Sequence, residues 1–116
     1  MAKSAIPDPL ERRHLVERDL APEQALRTAE AYLAEDRVWD AIVFLGKAGA
    51  NERMAALRDD AVASGDTFLV RELTRVLRDE VPAARWRDVV AAAEAAGKER
   101  FAEQARRLAD RAEGRS

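Results

Sequence analysis

The sequence predicts an all-α protein, and three observations carry that expectation. Alanine and arginine supply 25 and 17 of the 116 residues, and both favour helix. Glycine and proline are few, five and four, and most of them stand between apolar-periodic stretches rather than inside them. The β-branched residues, mainly valine, occur singly or in pairs and never build an alternating strand.

Each helix is read from its ends. Asp8 before Pro9, with Glu11 three residues after Asp8, combines an N-cap, a first-turn proline and a capping-box-like glutamate. A short helix over residues 9–19 follows. Pro22 opens the next, with Ala25, Leu26, Ala29, Tyr32 and Leu33 at helical spacing, ending near Glu35. From Val38 to Ala48 the chain is apolar nearly all round, which marks a helix buried on more than one side and the centre of the core. Gly49 terminates it and Asn51 is expected to cap a fourth helix with inner face Met54, Leu57, Ala61 and Val62. Gly65 stops that helix, and Asp66 or Thr67 caps a fifth that carries Phe68, Leu69, Leu73, Val76 and Leu77. Pro82 restarts the chain for a sixth with stripe Trp86, Val89, Val90, Ala93 and Gly97. A seventh, from about Lys98 to Ala112, presents Phe101, Ala105 and Leu108.

Composition bounds what such a chain can do. At 36% charged residues, 5% aromatic and a net charge of −2, it reads as one soluble domain over residues 1–116, with flexible ends at 1–7 and 113–116. A chain of this length buries roughly two thirds of its unfolded surface, enough for a core without metal or disulfide. The absence of cysteine excludes a disulfide framework, a thiolate metal site and a thiol nucleophile. There is no apolar run of signal-peptide or membrane-spanning length, so the cytoplasm is the expected location and no membrane partner is expected. The excess of arginine over lysine, 17 to 3, matches the codon bias of a GC-rich, bacterial-like genome.

The turns inside helix pairs recur. In Leu33-Ala34-Glu35-Asp36, Ala63-Ser64-Gly65-Asp66 and Ala95-Ala96-Gly97-Lys98 the turn positions Asp36, Gly65 and Gly97 follow one another at intervals of 29 and 32 residues, the period of stacked α-hairpins. The pairs are residues 22–48, 51–80 and 83–112. The first pair resembles a tetratricopeptide repeat (TPR) in Ala29, Tyr32, the Glu35-Asp36 turn, Ala41, Leu45 and Ala48. The third does so in Trp86, Val89, Ala93, Gly97, Ala102 and Ala109, while the middle pair keeps Ala61 and the Gly65 turn. The spacing is shorter than that family's, Asp36 replaces a turn glycine, and no proline closes a unit, so the repeat is degenerate. HEAT-like stacking and a plain bundle stay open as alternatives. The resemblance implies a right-handed α-α superhelix of about three helical hairpins with the short N-terminal helix at one end. In such a stack each large residue serves its own interface: Tyr32 with Trp39 and Phe44, then Phe68, then Trp86 with Phe101.

No constellation carries catalysis. His14 is the lone histidine, so Glu11-x-x-His14 cannot be duplicated into a dinuclear site within one chain. Gly46-Lys47-Ala48-Gly49 lacks phosphate-loop spacing, and Ser4, Ser64 and Ser116 have no base beside them. The expectation is a non-enzyme without cofactor or metal.

The TPR resemblance implies that the first helix of each pair lines a concave, peptide-binding groove. The register then points Glu23, Leu26, Glu30 and Leu33 inward from the first pair, Glu52 and Asp59 from the second, and Arg87 and Glu94 from the third. Such a groove is mostly acidic and suits a basic or amphipathic peptide of a protein partner, making the chain an interaction module or small scaffold. One alternative is a homodimeric assembly protein burying Phe68, Trp39 or the alanine-rich 91–96 segment. Another is a nucleic-acid-associated protein using Arg71, Arg75, Arg78, Arg85 and Arg87, against which the acidic balance argues.

Overall fold

The computed structural model describes residues 5–114. Those residues form seven α-helices and no strand: α1 (Pro9–Glu17), α2 (Pro22–Leu33), α3 (Val38–Ala48), α4 (Asn51–Ser64), α5 (Thr67–Leu77), α6 (Ala83–Ala95) and α7 (Glu99–Gly114). Of the ends expected to be flexible, residues 1–4 and 115–116 lie outside the described residues. The chain divides into two compact units, one ending at Met54 and the other beginning at Ala55, with the division inside α4.

Several helix ends follow the cues in the sequence. Asp8 accepts the Glu11 amide at 2.9 Å, and Asp66, rather than Thr67, caps α5 by accepting from the Leu69 amide at 3.3 Å. Others differ. Asn51 is the first residue of α4 instead of its cap, with the Ala50 carbonyl accepting the Met54 amide. Gly97 leaves the α6 stripe for the turn that follows it. Helix α1 stops at Glu17, two residues before the expected end, and α5 stops at Leu77, because Arg78 turns left-handed at φ 58°. Asp36 shares that value, which explains how an aspartate occupies a position read as a replaced glycine: its short polar side chain tolerates this conformation better than most.

The three turns are one motif. Asp36, Gly65 and Gly97 are all left-handed, and in each case the next amide reaches back to a carbonyl five residues before it: Arg37 to Tyr32, Asp66 to Ala61, Lys98 to Ala93. The left-handed residue itself donates to Leu33, Val62 or Glu94, completing a Schellman closure. Counted from that residue, the positions eleven and four before it and five and eight after it are buried in every pair. They are Ala25, Tyr32, Ala41 and Phe44, then Met54, Ala61, Val70 and Leu73, then Trp86, Ala93, Ala102 and Ala105. Each quartet mixes large and small residues, so bulk at one position is balanced by alanine or valine at another.

In the first unit α2 packs on α3. Ala25, Ala29 and Ala41 are fully buried where the helices meet, and Tyr32 stacks on Phe44 with ring centroids 5.9 Å apart. Trp39 does not join them. It is 53% exposed, because it falls outside the face formed by Ala41, Ile42 and Leu45.

In the second unit α6 packs on α7 through Trp86, Val89 and Ala93 against Ala102, Ala105 and Ala109. Phe101 turns to Phe68 instead of being reserved for Trp86, meeting it edge-on at 5.1 Å, and buried Thr67 donates to the Phe101 carbonyl at 2.7 Å. Gly65 lies directly on the α6 backbone. A β-carbon built there would come within 2.4 Å of the Ala93 nitrogen.

Arg58 ties α4 to the end of α5. Its guanidinium donates to Thr74 at 3.1 Å and to both Asp79 oxygens at 2.6 and 2.9 Å. The hydrogen bonds from Arg58 hold the Asp79 carboxyl below its ordinary range, against partial desolvation. Glu72 is lowered in the same way by Arg75. A carboxyl lowered in the fold adds stability above its unfolded pKa of about 3.9–4.3, and that addition is lost as pH falls through the folded value. Urea unfolding of Asp79→Asn is therefore expected to show a deficit of about 1 kcal/mol near neutrality, shrinking as the pH falls below about 4.

Candidate functional site

The first unit carries an open depression at the junction of α3 and α4. It is lined by Leu26 and Glu30 of α2, by Gly49 and Ala50 of the connection, and by Asn51, Glu52 and Arg53 of α4, and encloses about 490 Å³. That is room for a few side chains of a docked segment. Gly49 makes the depression possible: at φ 64° it ends α3 and lets α4 start two residues later, leaving α2 uncovered at Leu26.

Three residues of the expected groove meet here. Leu26 is 39% exposed, one turn of α2 before Glu30, and Glu52 stands in the first turn of α4, where a negative side chain complements the helix dipole. Arg53 is a lining residue that the α2 and α4 registers did not single out. Its Nε donates to Glu30 Oε1 at 2.9 Å and its Nη2 to Oε2 at 3.4 Å. Arg53 thus offsets one of the two carboxylates, and Glu52 is exposed with no ion pair among the described residues. The pair joins residues 23 apart in sequence, beyond the reach of any periodicity within one helix.

The other expected groove residues are placed differently. Glu23 is exposed and Leu33 half-buried, and neither lines the depression. Asp59, Arg87 and Glu94 belong to the second unit, where each is engaged within the fold. Asp59 pairs with Arg85, Arg87 with Glu113 and Asp110, and Glu94 with Arg106 at 3.4 Å. The arginine cluster considered for nucleic acid is also partly committed. Arg75 pairs with Glu72, Arg85 with Asp59 and Arg87 with Glu113, leaving Arg71 and Arg78 exposed without an ion pair among the described residues.

The remaining motifs resolve into structural roles. Lys47 donates to the Arg18 carbonyl at 2.9 Å, and His14 is exposed on α1. Among the described residues no group of three His, Cys, Asp or Glu side chains could hold a metal ion, and no helix is long and apolar enough to cross a membrane. No protein-family model, curated protein or solved structure matches the chain.

Proposed function

We propose that the protein is a non-catalytic interaction module, a small scaffold of degenerate TPR-like helix pairs in a right-handed superhelix, that binds a basic amphipathic peptide of a partner protein. The observation that carries the reading is the convergence of Leu26, Glu30 and Glu52 on one open depression. Leu26 offers an apolar anchor point, Glu52 an exposed carboxylate with no ion pair among the described residues, and Glu30 a carboxylate whose partner is an exposed arginine. Exposed pairs of this kind are weak, so an incoming lysine or arginine can exchange for Arg53 at little cost. The recurrent Schellman turn and the equivalent buried quartets support the repeat reading.

The test is fluorescence anisotropy with a labelled twelve-residue peptide carrying leucine and lysine at helical spacing. The double variant Glu30→Lys with Glu52→Lys is expected to weaken binding about tenfold at low salt, with a smaller effect as salt screens the charges. Equal affinity of the two proteins contradicts the reading.

A further inference from the structure

Helix α1 buries little of itself on the first unit, and the Arg12 side chain reaches the rings and a carbonyl of α2 and α3. Leu15 is its only buried residue. The Arg12 guanidinium lies 5.6 Å from the ring centroids of both Tyr32 and Phe44, and its Nη2 donates to the Asp40 carbonyl at 3.1 Å. Arg37 covers the Tyr32 ring at 5.2 Å and holds the Asp40 carboxylate at 2.8 Å, which fixes the walls of this slot. Lys47 pins the far end of α1 through the Arg18 carbonyl. The slot therefore reads an Arg-x-x-Leu pattern on one face of a helix: a cation over two aromatic rings, an acceptor for its tip, and a pocket for leucine three residues later.

The fit of α1 is incomplete. Arg12 Nε and the Tyr32 hydroxyl are buried with no hydrogen-bond partner among the described residues. A nine-residue helix is also marginal alone in water, so α1 depends on the slot for its own order. Only residues 18–21 separate it from Pro22, whose ring stiffens the start of α2. A short helix that buries one residue, is joined by a short stiff hinge and is matched to a slot present in every copy is the arrangement from which segment exchange arises.

We infer that α1 is an exchangeable latch, and that the slot of Tyr32, Phe44 and Asp40 takes the α1 of a second copy of this chain in place of its own. The slot shares no residue with the depression at Leu26, so this inference stands apart from the peptide-binding reading.

The chain has no cysteine, so Leu10→Cys, at a position 63% exposed, accepts a spin label on α1 at a unique site. The probe is a synthetic peptide of residues 5–20 added to the labelled full-length chain. The expected result is a mobile spectral component that grows saturably, with the Arg12→Ala peptide needing about tenfold more for the same effect. Light scattering of the unlabelled chain is expected to rise from one copy toward two with concentration. An immobile label at every peptide concentration, equal potency of the Arg12→Ala peptide, or a mass fixed at one chain overturns the inference.

Discussion

Replacing Gly65 by alanine is expected to cost roughly 2–5 kcal/mol of stability, a loss on the order of 10 °C in thermal midpoint. Two effects combine there. The left-handed backbone at φ 71° disfavours any β-carbon by about 1–2 kcal/mol, and the new methyl would sit 2.4 and 2.5 Å from the Ala93 nitrogen and α-carbon. Those are backbone atoms of α6, so no side chain can rotate away, and α4 or α6 must shift. Gly49 and Gly97 separate the two effects. Both are left-handed, at φ 64° and 72°, yet a β-carbon at either meets nothing within 4 Å. Gly97→Ala and Gly49→Ala are therefore expected to lose only the conformational part, about 1–2 kcal/mol. Chemical denaturation of the three variants measures the difference, and equal losses at Gly65 and Gly97 would deny the close approach of α4 to α6.

Truncating Tyr32 to alanine is expected to cost about 3–5 kcal/mol, whereas Tyr32→Phe is expected to stabilise the protein by about 1 kcal/mol. The ring is fully buried, stacks on Phe44 and lies beneath the guanidinium groups of Arg12 and Arg37. Removing it empties one of the two large positions of the first quartet, where Ala25 and Ala41 cannot expand to fill the space. Phenylalanine keeps the ring and its cation contacts and deletes only the hydroxyl, which has no partner among the described residues. Opposite signs for the two variants in urea titrations are the signature of this environment. A destabilised Tyr32→Phe would mean that the hydroxyl has a partner in solution.

Much of the fold was legible because helix ends are written locally. Asp8 with Pro9, Pro22, Gly49, Gly65 with Asp66, and Pro82 each act through their own backbone restriction or side-chain acceptor, and the structure places helix boundaries at or beside each of them. Arg78 shows where this stops. Nothing in an arginine announces a left-handed turn, and the residue that follows it, Asp79, is held by Arg58, a partner 21 residues earlier. Gly97 carried two readings, the end of the α6 stripe and part of the Ala95–Lys98 turn, and it lies in the turn. Its spacing from Ala93 continues the α6 stripe by one turn, and only the bond from Lys98 to the Ala93 carbonyl shows that the helix has closed.

The site was legible in part. Leu26 and Glu30 are one turn apart on α2, so their shared face follows from helical periodicity, and Glu52 lies at a helix start marked by Gly49. The ion pairs were not legible, since Arg53 reaches Glu30 and Arg85 reaches Asp59 between helices, over 23 and 26 residues. Trp39 was expected beside Tyr32 and Phe44, and its exposure follows from its place outside the face of Ala41, Ile42 and Leu45.

The most direct test of the proposed peptide-binding role is a ¹⁵N–¹H chemical-shift titration of the full-length protein with the leucine- and lysine-bearing peptide. The proposal predicts saturable shifts concentrated at Leu26, Glu30 and residues 49–53, the lining of the depression. Shifts centred elsewhere, or none at saturating peptide, would contradict it.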